Sequence, residues 1–268
     1  MKKTATYRTA AIWTWVVLIL LNLPIVIVVI LSFNDGRFLS FPPKGLSLQW
    51  YEAYFASDRW RLATFNSFRL GIATVLLATP IGLLASFAIV RGRFPGRRLL
   101  EALVIAPMLL PGIIIAIALY FFFAKLGMIG TFWSMLLAHT VITIPIITIS
   151  INASLAMMDQ NLERAAASLG ANRWQVFWRV TRPLIQPGIL TGAVFAFLIS
   201  FDELPIAFFM SGTLGETLPA RMWSSLRDEI DPTIAVVSTL LIVVSGGLAL
   251  IGLTVQTRRD AMNDPGKS

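Results

Sequence analysis

The chain has 268 residues, of which 56% are hydrophobic and only 13% charged, about half the charged share of an ordinary soluble domain. A net charge of +8 would suit nucleic acid in a soluble protein, but here the basic residues sit between long apolar blocks, so an all-α polytopic membrane protein is expected and a nucleic-acid partner is not. With no cysteine, disulfides and cysteine-ligated zinc or iron–sulfur sites are excluded.

The N-terminus is basic and then apolar. A cleaved signal peptide has an apolar region of about 7–15 residues and a small-residue cleavage site. This run carries no charge from Thr9 to Asn34 and shows no such site, so it reads as a retained first transmembrane helix. Six charge-free windows meet or approach the roughly 20 apolar residues a spanning helix needs: Thr9–Asn34, Leu70–Val90, Ala102–Ala124, Leu126–Met158, Pro183–Phe201 and Pro232–Thr257. The fourth begins "LGMIGTF", a Gly-rich turn between spans three and four. Without repeats or low-complexity linkers, residues 1–268 read as a single transmembrane domain.

Basic residues set the orientation, because cytoplasmic segments are enriched in Lys and Arg. An internal N-terminus places Lys2, Lys3 and Arg8, Arg91, Arg93, Arg97 and Arg98, Arg164, Arg173, Arg179 and Arg182, and Arg258, Arg259 and Lys267 inside. The outer segments then hold about half as many. Both termini are therefore expected in the cytoplasm. One outer segment, near Glu216, Asp228, Glu229 and Asp231, is acidic; another, from Asn34 to Trp60, is long and aromatic.

A six-span protein that moves solute uphill needs an energy source. None of the windows holds Asp, Glu, Lys or Arg, whereas ion-coupled carriers usually place such groups at mid-membrane. His139 is the one ionisable residue in a span and reads as a hydrogen-bonded packing residue rather than a proton relay. The terminal "PGKS" lacks the upstream Gly and following helix of a phosphate-binding loop. No catalytic cluster appears, so the chain reads as a transport subunit and not an enzyme. Any energy must come from a partner.

The polar stretch 159–183 is where a partner would act. "DQNLERAAASLG" reads as a helix, with Asp159 at its start and Gly170 as a left-handed C-terminal cap. Leu162, Ala165, Ala166 and Leu169 recur at helical spacing and give one smooth apolar face. Asn172 can then cap a second short helix, on which Trp174, Phe177 and Trp178 share a face between Arg173 and Arg179. Pro183 and Pro187 are expected to end this element and open the fifth span. A helix pair lying on the lipid interface would suit the second helix, but the shallow Ala face of the first fits a docking surface better.

This stretch resembles the EAA loop of permease subunits in binding-protein-dependent ABC importers: Glu-Ala-Ala, three residues, Gly, nine residues, then Ile-x-Leu-Pro. Aligned on Gly170, the chain places Arg164, Ala165 and Ala166 on the triplet, followed by Val180 and Pro183. Arg164 replaces the motif Glu, although Glu163 precedes it, and Arg182 replaces the Leu before Pro183. "SFND", "FNSFRLGIATVLLATPIGLLASFAIVR" and "SFDE" look like the spermidine/putrescine branch, so the resemblance covers nearly the whole chain.

The resemblance implies a MetI-like permease fold in a bacterial inner membrane. It implies that Glu163, Arg164, Ala165, Ala166, Gly170, Trp174 and Pro183 belong to a coupling loop seated on an ABC ATPase dimer, which would hold the ATP and magnesium. It also implies a second, related permease subunit and a periplasmic or surface binding protein. The solute would be a polyamine or related amine. Similar permeases carry amino acids, opines, aminophosphonates or ferric iron, and a passive channel is the alternative from another class.

Asp202 and Glu203 are expected near the outer end of span five, or where its helix breaks before Pro205. They can attract a cationic solute or simply be solvated at the interface. Gly188 and Gly192 form a Gly-x-x-x-Gly that permits close helix packing, within the subunit or across a permease pair. Pro80, Pro107, Pro111 and Pro145 are candidates to kink their spans.

Overall fold

A computed structural model describes residues 2–212, 215–228 and 232–263, with side chains from residue 11 onward except those of 228, 249 and 251–263. Glu229 and Asp231 of the acidic stretch lie outside the described residues. Within them the regular structure is helical, apart from one isolated bridge between Asn34 and Leu46. In chain order the helices are α1 (Lys2–Leu31), α2 (Gln49–Ala56), α3 (Asp58–Arg91), α4 (Arg97–Leu109), α5 (Gly112–Lys125), α6 (Phe132–Met157), α7 (Gln160–Ser168) and α8 (Arg173–Val176). A π-helical turn, Phe177–Thr181, leads into α9 (Arg182–Phe201), followed by α10 (Pro205–Met210), α11 (Leu218–Asp228) and α12 (Thr233–Asn263).

Among the described residues, four helical runs are long and apolar enough to cross a membrane: Ala11–Leu31, Asp58–Arg91, Phe132–Met157 and Arg173–Phe201. The expected third span is not one straight helix. The two helices α4 and α5 are bent by 107° at their junction, because Pro111 disfavours a helical residue before it and Leu110 is extended (φ −94°, ψ 143°). Counting that pair as one gives five spans. The sixth expected window starts with α12, whose described apolar stretch, Thr233–Leu248, is shorter. Pro80, Pro107 and Pro145 lie inside continuous α3, α4 and α6, so of the four candidate kinks only Pro111 interrupts its helix.

The chain packs as two compact units, one made of Met1–Arg61 with Met222–Gly246 and the other of Leu62–Arg221 with Gly247–Ser268. In the first, the aromatic segment after α1 is folded. Ser32 and Tyr51 share a hydrogen bond of 2.8 Å, the Phe33 and Tyr51 rings lie 5.2 Å apart, and the buried Asn34 donates to the Phe38 carbonyl at 2.8 Å.

In the second unit α6 is the central helix. Near its start Met135, Leu136 and Ala138 pack with Leu70 of α3, Ala116 and Phe123 of α5, and Ile206 and Met210 of α10. Further along, Ile147, Ile151 and Leu155 pack with Ala78 of α3 and with Ile185 and Ala196 of α9. Between the two clusters lies a polar layer. His139 Nδ1 and Ser200 Oγ are 2.8 Å apart, and Ser200 Oγ donates to Thr74 Oγ1 at 3.4 Å, joining α3, α6 and α9. His139 is fully buried, in keeping with a packing role. Polar side chains of a spanning helix turn toward the bundle because lipid offers them no partners.

Gly188 and Gly192 face α6. A Cβ on Gly188 would lie 2.6 Å from the Ser150 carbonyl oxygen, and one on Gly192 would lie 3.0 Å from Ile147 Cα. The small-residue stripe therefore serves packing within this subunit.

Candidate functional site

The 159–183 segment folds as two capped helices. At the start of α7, Asp159 accepts a hydrogen bond from Asn161 N–H at 2.9 Å. At its end Gly170 has φ +89°; its N–H donates to Ala167 O at 3.0 Å, and Ala171 N–H donates to Ala166 O at 3.1 Å. These are the two bonds of a Schellman motif, which satisfies carbonyls that the helix end would leave unpaired. Asn172 and Gln175 then form a reciprocal capping box at α8, with both bonds 2.9 Å. Both helix starts and the glycine cap follow the sequence expectation.

The expected stop at Pro183 does not occur. From Arg173 to Phe201 the chain is one continuous helical run, with Pro183 in the first turn of α9, where its missing N–H is tolerated, and Pro187 inside. The irregularity falls earlier, in the π turn, where Arg182 N–H bonds to Phe177 O five residues back. Trp174, Phe177 and Trp178 share one face as expected, with the two tryptophan rings 5.4 Å apart. Arg182 stacks over Trp178 at 4.9 Å, and Phe177 meets Phe87 of α3 at 5.9 Å.

No residue of α7 is buried. Leu169 is 89% exposed and Leu162 is 47% exposed, and the Ala165 methyl beside them is open as well. An apolar stripe this bare on a polar segment calls for a covering surface. The two charged residues next to it behave differently. Arg164 is exposed and makes only a long contact, 3.5 Å, to Asn161. Glu163 points back into the protein: Thr181 Oγ1 donates to its Oε1 at 2.7 Å, and Arg91 Nη2 lies 3.7 Å from its Oε2. Sequence reasoning counted Arg91 only as a topological charge and missed Thr181 altogether; neither has a spacing relation to Glu163.

The other end of the same unit gathers Asn66, Gly130, Phe132, Gly215 and Thr217 around a small cleft. There Asn66 Nδ2 donates to Glu216 O at 3.1 Å, and Arg69 stacks over Phe132 at 4.2 Å. The C-terminal end of α3 thus meets 159–183, while its first half meets the segments before α6 and after α10.

Asp202 and Glu203 lie where the helix breaks, as expected, between α9 and α10. Glu203 Oε1 accepts from Ile206 N–H at 3.1 Å, so this carboxylate caps α10. Burial raises the Glu203 carboxyl above its ordinary range, against the opposing pull of that bond and with a further push from Asp202. Desolvation also raises the Asp202 carboxyl, though its side chain stays open on one side. Among the described residues neither has a cation within ion-pair distance.

The described residues thus form a helical membrane bundle with a bare amphipathic helix, α7, between two of its apolar runs. The comparisons with known proteins give the family. The profile of the binding-protein-dependent transport system inner membrane components matches residues 78–259, and the chain belongs to that family, as a multi-pass inner-membrane protein. It is 34% identical to the spermidine/putrescine transport system permease protein PotC of Haemophilus influenzae, over 90% of this chain and 92% of that one. It is 31% identical to the putrescine transport system permease protein PotI of Escherichia coli K12, over 92% of each. Its fold matches a chain of a bacterial alginate ABC transporter solved with an alginate-bound periplasmic protein, with TM-score 0.72, 17% identity and 96% of each chain covered.

Proposed function

We propose that this chain forms half of the translocation pathway of an ATP-driven importer for polyamines, with a related permease as its other half and a binding protein delivering solute to the outer mouth. The bare face of α7 carries this reading, supported by the likeness to two polyamine permeases over nearly their whole length. ATP and magnesium are held by a separate ATPase pair, whose groove covers Leu162, Ala165 and Leu169. Arg164 faces that groove as a cation, so the groove offers it an acidic group. Trp174 borders the same surface.

The test is uptake of labelled putrescine and spermidine into proteoliposomes holding both permeases, the ATPase and the binding protein. ATP-dependent accumulation is expected. Flux through the purified chain alone, without ATPase, would instead favour a passive channel. ATP-dependent uptake of an amino acid or ferric iron in place of amines would keep the importer and replace its solute.

A second expectation separates the two outer carboxylates. Asp202→Asn removes an open charge that attracts a dication, and is expected to raise the half-saturating putrescine concentration several-fold, by about 1 kcal/mol of screened attraction. Glu203→Gln keeps an acceptor for Ile206 N–H and is expected to change it less. Equal effects of the two substitutions would remove Asp202 as the solute-attracting group.

A further inference from the structure

The Glu163 side chain leaves the docking face and enters a junction of three helical elements. Its Oε1 takes the Thr181 hydroxyl at 2.7 Å, from the π turn that leads into α9. Its Oε2 lies 3.7 Å from Nη2 of Arg91, the last residue of α3. The two side chains of that ion pair are 18% and 26% exposed, so water screens the pair less than it would a surface pair. Nε and Nη2 of Arg91 are buried and lack a hydrogen-bond partner among the described residues, which leaves the Glu163 carboxylate as the anion that compensates this guanidinium. The same junction is closed on its apolar side by Phe87 of α3 against Phe177 of the π turn, 5.9 Å apart.

We infer that Glu163 is a positioning residue that ties α7 to the ends of α3 and α9, so that a displacement of the docking helix moves both spans together. This rests on the docking reading above but assigns Glu163 a different task from its neighbours: Ala165 and Leu169 meet the partner, while Glu163 passes the motion inward. The π turn has a part in it. Its extra residue per turn sets the rotation at which Thr181 meets the α7 carboxylate, and such turns recur at functional positions in helices. Apart from this tie, α7 packs on α8 and the π turn, so without it α7 could follow the partner without moving α3.

Co-purification with the ATPase and the amount of solute moved per ATP hydrolysed distinguish docking from transmission. Glu163→Gln and Arg91→Gln are each expected to co-purify with the ATPase and to lose about tenfold in solute per ATP, a typical size for coupling between sites. The exchanged pair Glu163→Arg with Arg91→Glu is expected to recover most of that ratio, a rescue that a general packing defect would not give. A wild-type ratio in Glu163→Gln, or an exchanged pair no better than the single variants, overturns the inference. Failure of the wild-type chain to bind any ATPase would sink the docking reading instead.

The chain has no native cysteine, so spin labels can be placed at Ala167 on α7 and Arg93 beyond α3 with the tie intact. The distance between them is expected to stay fixed as nucleotide is cycled on the ATPase. A distance that shifts with nucleotide while α7 remains docked overturns the inference, even if the substituted chains fail to assemble.

Discussion

Replacement of Gly170 by valine is expected to leave the membrane bundle folded but to weaken assembly with the ATPase and uncouple hydrolysis from transport. The cause is local backbone conformation. Gly170 has φ +89°, and an added Cβ would meet nothing within 4 Å, so no neighbour clashes. A non-glycine residue in the left-handed region costs about 1–2 kcal/mol, and a β-branched one more. Nine-residue α7 is too short to hold itself together by propensity; the Asp159 cap and the Schellman bonds at Gly170 hold it. Relief of the strain would unwind the last turn, which carries Leu169, the barest apolar residue of the proposed docking face. About 1.4 kcal/mol is tenfold in an equilibrium, so at least a tenfold loss of ATPase affinity is expected for valine. The series should run Gly, Asn, Ala, Val, because Asn tolerates this conformation best after Gly. Titration of detergent-solubilised permease against the ATPase, with uptake per ATP, checks it; unchanged affinity and coupling in Gly170→Val would remove the cap from the mechanism.

The 159–183 segment was the most legible part of the chain because its signals are local. A cap residue, a helical apolar period and a glycine stop each act within one turn or two, and Asp159, Gly170 and Asn172 all do in the structure what their types prefer. Four of the six apolar blocks were legible as spans for a similar reason, since length and absence of charge decide membrane crossing. Four proline positions looked alike, yet only Pro111 breaks its helix: a proline inside a membrane helix can be accommodated by its neighbours, and local sequence does not say where they are. The role of Glu163 was hidden for the same reason. Its partners Arg91 and Thr181 lie 72 and 18 residues away along the chain, and only the packed bundle brings them together. One longer-range signal was present and could have been used: α6 carries Ser134, His139, Thr140, Thr143, Thr148 and Ser154, all buried, whereas the Ala11–Leu31 stretch of α1 is mostly aliphatic and wholly unburied. Hydroxyls and an imidazole in a charge-free span mark the central helix of the second unit.

Substitution of Gly188 is expected to have a large effect on folding of the described bundle. A Cβ there would lie 2.6 Å from the Ser150 carbonyl oxygen and 2.9 Å from Ser154 Cβ. The first of these neighbours is α6 backbone and cannot rotate aside, so even alanine requires the axes of α6 and α9 to separate. The separation would loosen Ile147, Ile151 and Leu155 against Ile185 and Ala196, all nearly or fully buried. Overpacking of a tight core typically costs 1–3 kcal/mol, and in lipid the helices lack a hydrophobic drive to re-close, because association there depends on close packing. Gly188→Ala is therefore expected to lower the thermal midpoint of the purified chain by several degrees, and Gly188→Leu to prevent accumulation of folded protein. Ser154→Ala relieves only the side-chain part of the crowding, so it should not restore Gly188→Ala to the wild-type midpoint. The opposite result, a Gly188→Leu chain with wild-type midpoint, would place the close approach of α6 and α9 elsewhere. Comparison with Gly170 then separates two uses of glycine in one chain. Loss at 188 should remove the protein from the membrane, whereas loss at 170 should leave it there, folded and unable to respond to ATP.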